Sequence, residues 1–247
     1  MNMRRLVEPE LLDSLAADDP RAIRSRADLR RINRLMGTQS LLGGSLDKLL
    51  HGTTPVRLVE LGAGDGTLLL RLARRRASHW PKISLGLLDL QPVVSQETLA
   101  GYRALGWQVE VIQADVFDWL AQQQAVEAPD VPAQSIILAN LFLHHFDGQR
   151  LQALLAGIAD RAHAFLCLEP RRSQFALLGS RLLGVIGCND VTRHDAVVSV
   201  RAGFSAQELS AQWPNTDDVW NLQESAAGMF SHRFLAARKP IRCRPIQ

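Results

Sequence analysis

Val59-Glu60-Leu61-Gly62-Ala63-Gly64-Asp65-Gly66-Thr67 decides the fold. It continues the apolar run Val56-Arg57-Leu58-Val59, and its three glycines alternate with small or acidic residues. An apolar run that breaks into glycines and resumes as a helix is a β-strand entering a nucleotide-binding turn. Glycine reaches backbone angles that other residues avoid, and without a Cβ it lets a ligand lie against the main chain. Glu60 stands just before the turn and Asp65 inside it. Two carboxylates there would repel a pyrophosphate; they suit a ligand with a positive centre and hydroxyls to bind. The competing reading is a glycine-rich connection with no ligand.

Outward from the turn, strands and helices alternate. Val56 to Leu61 is the first strand, with a helix over Thr67 to Arg76. Ile83 to Leu88, Gln108 to Gln113, Ser135 to Asn140 and Ala164 to Glu169 read as strands two to five. Helices fall between them at Val93 to Leu105, Phe117 to Gln124 and Gly148 to Ala159, and Pro129 and Pro132 mark a loop. Such alternation predicts a parallel, doubly wound sheet. After a helix at Ser205 to Gln212, the runs Val219 to Gln223 and Phe230 to Ala236 are joined by Glu224-Ser225-Ala226-Ala227-Gly228. Two strands so closely connected form a hairpin, so one runs antiparallel to the rest. Residues 8 to 50 read as two or three helices, one opening at Pro9-Glu10 and one at Asp19-Pro20, the second ending at Gly37. The expected division is an N-terminal helical segment over 1–54, a main domain over 55–240 with a cap insertion at about 171–204, and a tail over 241–247.

The length of 247 residues suits one α/β domain with an added helical element and allows a large core. A net charge of +3 is too mild to argue for nucleic acid. Arg21, Arg24, Arg26, Arg30, Arg31 and Arg34 crowd the early helices, but Asp18, Asp19, Asp28 and their acidic neighbours offset them, so a solvated, ion-paired surface is expected. Cys167, Cys188 and Cys243 have neither metal nor disulfide spacing, and no acid–histidine set reads as a metal site. Cys167, in an apolar run, reads as a core thiol. With no apolar leader after Met1-Asn2-Met3-Arg4-Arg5, the expected location is the cytoplasm.

Glu60 followed by Gly62-x-Gly64-x-Gly66, rather than Gly-x-Gly-x-x-Gly, resembles motif I of the class I S-adenosylmethionine-dependent methyltransferases. Leu87-Leu88-Asp89-Leu90 ends strand two, where an acid faces the ribose of a bound nucleoside or, alternatively, caps a helix. In Gln113-Ala114-Asp115-Val116-Phe117 the resemblance implies that Asp115 accepts from the adenine amino group and Val116 packs on the ring, while Asp115 could equally cap the following helix. Ile136 to Phe146 resembles the segment after strand four in small-molecule methyltransferases related to the ubiquinone-biosynthesis type, where paired histidines are common, and the N-terminal helices and the cap resemble bacterial methyltransferases found with polyketide or quinone pathways. Asn140 falls where the methionine end of the cofactor lies. The resemblance covers about residues 55 to 237. It implies a seven-stranded, mostly parallel sheet with an antiparallel strand in the C-terminal hairpin. It also implies S-adenosyl-L-methionine held by Glu60, Gly62, Ala63, Gly64, Asp65, Gly66, Asp89, Leu90, Asp115, Val116 and Asn140.

The implied reaction is methyl transfer to oxygen or carbon of a small aromatic or lipophilic acceptor, with no nucleic acid involved. His144, His145 and His194 are the candidate proton acceptors. Adjacent side chains are expected to face apart, so one of His144 and His145 lines the acceptor pocket, His144 by preference, and the other braces the next helix. His194 is expected to find its orienting carboxylate elsewhere than at Asp195. Arg171 or Arg172 would pair with an acceptor carboxylate or with N-terminal acids. Phe175 to Gly187, apolar but for Ser180 and Arg181, reads as an acceptor pocket, a peripheral membrane contact or a core helix, and is too short to span a bilayer. Two rivals remain. A non-catalytic protein could keep the cofactor turn without the acceptor site. An NAD-dependent oxidoreductase would need a tyrosine relay, yet Tyr102 is the only tyrosine and is expected away from the strand ends.

Overall fold

The computed structural model describes residues 3–51, 56–125, 135–214 and 219–239. The proline-marked loop, Cys243 and the tail over 241–247 lie outside the described residues. Strands β1 (Val56–Leu61), β2 (Ile83–Asp89), β3 (Gln108–Gln113), β4 (Ser135–Asn140), β5 (Ala164–Pro170), β6 (Trp220–Ala227) and β7 (Ser231–Arg238) form one sheet in the order 3-2-1-4-5-7-6. The first five strands are parallel. β7 runs antiparallel to β5 and to β6, so it alone opposes the rest. The doubly wound sheet with one reversed hairpin strand is the one the alternation anticipates.

Helices α1 (Leu11–Ser14), α2 (Pro20–Leu35) and α3 (Thr38–Leu50) precede the sheet, as their start signals require. Asp19 accepts from the Arg21 N–H at 2.8 Å, and Pro20 occupies the first turn of α2, where a missing N–H costs nothing. Between the strands run α4 (Thr67–Arg76), α5 (Gln96–Ala104), α6 (Val116–Ala125) and α7 (Gly148–Arg161). β1 faces both layers, because side chains alternate along a strand. Val56 and Leu58 join Leu42, Leu46 and Leu50 of α3 and Leu69 and Leu72 of α4. Val59 and Leu61 join Trp119 of α6 and Leu151, Leu154 and Ile158 of α7. Each fully buried leucine contributes about 2 kcal/mol. Among the described residues, no helix is long and apolar enough to cross a membrane.

The connection after β5 carries α8 (Gln174–Arg181) and α9 (Asp190–Ala202). Two local expectations fail beyond it. Residues 205–212 form turns rather than a helix. Ala206 sits at a φ of 53°, and the Leu209 and Ser210 N–H groups donate to the Glu224 carboxylate at 3.1 and 2.7 Å instead of to the preceding turn. Glu224 to Ala227, read as a linker, belongs to β6 and pairs with Ser231 to Phe234. The hairpin turn begins only at Gly228, whose φ is +73°.

The order reverses between β1 and β4: later strands add on either side of this pair. Open α/β sheets bind ligands at the carboxyl ends of the strands beside such a reversal. The glycine turn leaves β1 there, and Asn140 ends β4.

Candidate active site

Gly62, Gly64 and Gly66 all lie in the left-handed region, with φ of 63°, 54° and 68°. The alternation in sequence is therefore a backbone requirement, since other residues avoid those angles. Gly62 also lacks room: a Cβ there would stand 2.5 Å from Phe142 Cδ2. Gly62→Ala is expected to weaken binding of a ligand seated on this turn by about tenfold or more, from strain and clash together. Calorimetry with S-adenosylhomocysteine checks this.

The acids are placed by this turn. Asp89 Oδ2 accepts the Gly64 N–H at 2.8 Å, and its Oδ1 accepts the Gln91 N–H at 2.9 Å. Asp65 Oδ1 accepts the Thr67 N–H at 3.0 Å and the Thr67 hydroxyl at 2.7 Å, at the entry to α4. Its Oδ2 meets Arg30 Nη1 at 2.7 Å. Tyr102, expected away from the strand ends, instead donates its buried hydroxyl to the Gly66 carbonyl at 2.8 Å. It braces the turn and offers no proton relay.

A cleft opens over the turn. Glu60, Gly62, Ala63, Gly64, Asp65, Asn140 and Leu141 form one wall, and Arg26, Arg30 and Arg34 of α2 with Arg71 of α4 form the other. Glu60 Oε2 and Asn140 Oδ1 are buried and have no hydrogen-bond partner. Burial, reinforced by the charges of Asp65 and Asp89, pushes the Glu60 carboxyl up to about 8. Leu141 holds a φ of 55°, a strained angle at the cleft wall. From sequence, Arg26, Arg30 and Arg34 fall on a solvated surface and Arg71 and Leu141 have no role in a site; the structure brings all five to the cleft. For the arginines of α2 the available signal was the spacing of four, which puts positions 26, 30 and 34 on one helix face.

The other cofactor candidates do not line the cleft itself. Asp89 turns its oxygens to the two backbone N–H groups, and Leu90 is exposed. Asp115 accepts the Phe117 N–H at 2.7 Å, so its capping role is realised, and Val116 is buried in the core. Arg172 departs from expectation. It is buried against Glu208, the Gly203 carbonyl and the Met3 carbonyl, and so ties the chain end to α9. Arg171 reaches only the Gly228 carbonyl, at 3.5 Å.

The histidine pair sits on a 3-10 turn at Leu143–His145, just past β4. The tight turn keeps the two rings together, with centroids 4.3 Å apart, rather than facing apart. His144 is buried with both nitrogens engaged: Nδ1 lies 2.8 Å from Glu169 Oε2 and Nε2 lies 3.1 Å from Glu10 Oε1. Glu169 also accepts the Phe142, Leu143 and His144 N–H groups at 3.1, 2.9 and 3.3 Å, fixing the turn. Burial opposes the charge on His144, but the hydrogen bonds it donates to Glu10 and Glu169 outweigh it and lift its pKa to about 9. Burial likewise opposes the charge on Glu10, and bonding to His144 outweighs it, holding Glu10 at about 2. His145, a quarter exposed, lies 3.3 Å from Asp13 through Nδ1. Burial and then the neighbouring His144 push its pKa down to about 4, so it is neutral at pH 7. His194, half exposed, does pair with its sequence neighbour: Nδ1 is 2.9 Å from Asp195 Oδ1. Asp195 simultaneously caps α1 through the Leu11 and Leu12 N–H groups at 2.8 and 2.9 Å.

No protein-family model matches the chain, and no curated protein matches it in sequence. Solved structures do. The plantazolicin methyltransferase BpumL, in complex with a triazolic desmethylPZN analog and SAH, aligns with a TM-score of 0.59 at 13% identity over 90% of this chain and 92% of its own. An O-methyltransferase family protein from Burkholderia thailandensis aligns at 0.52 and 18% identity, over 92% of this chain and 62% of its own. The mitomycin 7-O-methyltransferase MmcR aligns at 0.53 and 19%, over 92% and 60%. Across nine-tenths of its length, the chain therefore has the fold of the class I methyltransferases.

Proposed function

We propose that this chain transfers a methyl group from S-adenosylmethionine to a small, lipophilic, phenol-like acceptor, at oxygen or at a carbon activated by the phenolate. The carrying observation is the cleft over the glycine turn, where Glu60 Oε2 and Asn140 Oδ1 are buried acceptors without donors. Such acceptors are costly unless a ligand supplies hydrogens. A nucleoside with ribose hydroxyls and an ammonium group does so, and Arg26, Arg30, Arg34 and Arg71 complement the carboxylate at its amino-acid end. When bound, the cofactor supplies a methyl group on a sulfonium for in-line displacement. The remainder of catalysis is alignment, exclusion of water and removal of the acceptor's proton.

His145 takes that proton. It is neutral at pH 7, partly exposed, and one of its nitrogens is oriented by Asp13. His144 is a positioning residue, because both its nitrogens are already engaged by Glu10 and Glu169. The lipophilic character of the acceptor is supported by the exposed apolar face Phe175, Leu178, Leu182 and Val185, in a stretch with no acidic residue between Glu169 and Asp190. That face also suits contact with an anionic lipid surface from which such an acceptor is drawn.

The test is methyl transfer from labelled cofactor to a panel of phenols and hydroxyquinones. His145→Ala is expected to lower kcat by about a hundredfold or more with affinity for S-adenosylhomocysteine unchanged. Equal turnover in wild type and variant would take the proton-accepting role from His145. Binding without transfer to any acceptor would favour a non-catalytic cofactor-binding protein.

A further inference from the structure

Glu10, His144 and His145 bring three ligand atoms within 4.8 Å of one another, and they are the one such group among the described residues. We propose that this cluster binds a divalent transition-metal cation of the zinc class, with Asp13 beside it as a further carboxylate. Two imidazoles and a carboxylate are a donor set for zinc, cobalt or ferrous iron, and too rich in nitrogen for magnesium or calcium. The separation of His144 Nε2 from Glu10 Oε1 is 3.1 Å. That is close to the edge of a tetrahedral shell, about 3.3 Å for zinc-type bonds of about 2.0–2.1 Å. His145 is a quarter exposed, so solvent reaches the cluster and gives an ion an entry path.

The outer contacts fit as well. A ligating histidine typically gives its other ring nitrogen to a carboxylate, which fixes ring orientation and strengthens the ligand. His144 Nδ1 is 2.8 Å from Glu169 Oε2, and Glu169 is itself locked by three backbone N–H groups. His145 Nδ1 is 3.3 Å from Asp13 Oδ2. Ser199 donates its hydroxyl to Glu10 Oε1, fixing that carboxylate too. Glu10, Asp13 and Glu169 surround two histidines; a dication at His144 Nε2 would take the place of the proton that nitrogen holds toward Glu10, released to solvent, and balance the carboxylates.

The binding claim stands on these residues alone; its consequence deepens the proposed methyl transfer. A cation here would hold an acceptor oxygen as its anion, a task that falls to His145 in the metal-free protein. The experiment is a Co2+ titration of the full chain after chelator treatment, read by visible absorption, with Zn2+ as competitor. One saturable equivalent displaced by Zn2+ is expected. His145→Ala and Glu10→Gln are expected to weaken it at least tenfold, and Glu169→Gln by about 10- to 100-fold, with melting curves showing that each variant is folded. Absence of saturable binding, or equal binding by wild type and His145→Ala, would overturn the proposal. Calorimetry with S-adenosylhomocysteine on the same samples separates the two ideas, because cofactor binding without Co2+ binding removes the metal and leaves the methyltransferase reading intact.

Discussion

Glu60→Gln is expected to raise the melting temperature of the cofactor-free protein at pH 7 by about 6–12 °C and to weaken cofactor binding. Glu60 is 3% exposed, one of its oxygens has no partner, and burial with the nearby Asp65 and Asp89 charges lifts its pKa from 4.5 to about 8. The folded chain therefore keeps this proton up to about pH 8, whereas the unfolded chain releases it near 4.5. Stability is whole below pH 4.5, declines as pH rises toward 8 and then levels off. At about 1.4 kcal/mol per pH unit, the loss by pH 7 is about 3 kcal/mol. Glutamine cannot ionise, so the variant loses this contribution and its melting temperature should exceed that of the wild type by an amount that grows as pH rises from 4.5 to 8. A bound nucleoside with a positive centre favours the ionised form, so added cofactor should recover much of the wild-type loss and little in the variant. Parallel slopes in wild type and variant would mean that Glu60 is not the buried acid of this site.

The second large effect is structural. Gly203→Ala is expected to cost about 3 kcal/mol, because the new Cβ would lie 2.2 Å from the Pro170 carbonyl oxygen. The obstacle is backbone at the end of β5, so no side chain can swing aside. The same junction holds Phe204 N–H to Pro170 O and Arg172 N–H to Phe204 O, both at 2.9 Å. It also fixes α9, whose Asp195 and Ser199 hold α1 and Glu10. Gly228→Ala is the natural control: φ there is +73° but nothing lies within 4 Å of the added methyl. Left-handed strain alone should cost about 1 kcal/mol. Chemical denaturation of both variants checks the pair, and equal losses would contradict the close approach at Gly203.

The legible parts of this chain were those with local signatures. Glu60 to Gly66 needs glycine at each positive φ, Asp89 ends a strand at a fixed place in the alternation, and Asp115 caps the helix that follows it. What escaped has no local signature. Glu10 lies 134 residues from His144, so no spacing announces their contact. Arg26, Arg30 and Arg34 share their segment with acids and read as solvated. Only tertiary placement of α2 turns that face toward the cleft. The turns at 205–212 have helix-like composition, and the distant Glu224 carboxylate captures the N–H groups that a helix would have used. His194 and Asp195 ran against a sound generalisation, because the half-exposed ring turns back along its own helix to its neighbour. The 3-10 geometry at Leu143–His145 likewise overrode the expectation that adjacent histidines diverge.

The cleft lined by the Gly62–Gly66 turn and the α2 arginines is the proposed seat of S-adenosylmethionine. Isothermal titration of the wild-type chain with S-adenosylhomocysteine tests it most directly. One site per chain with micromolar affinity is expected, weakened about tenfold or more by Gly62→Ala. No heat of binding at millimolar ligand, or an affinity indifferent to Gly62→Ala, would contradict it.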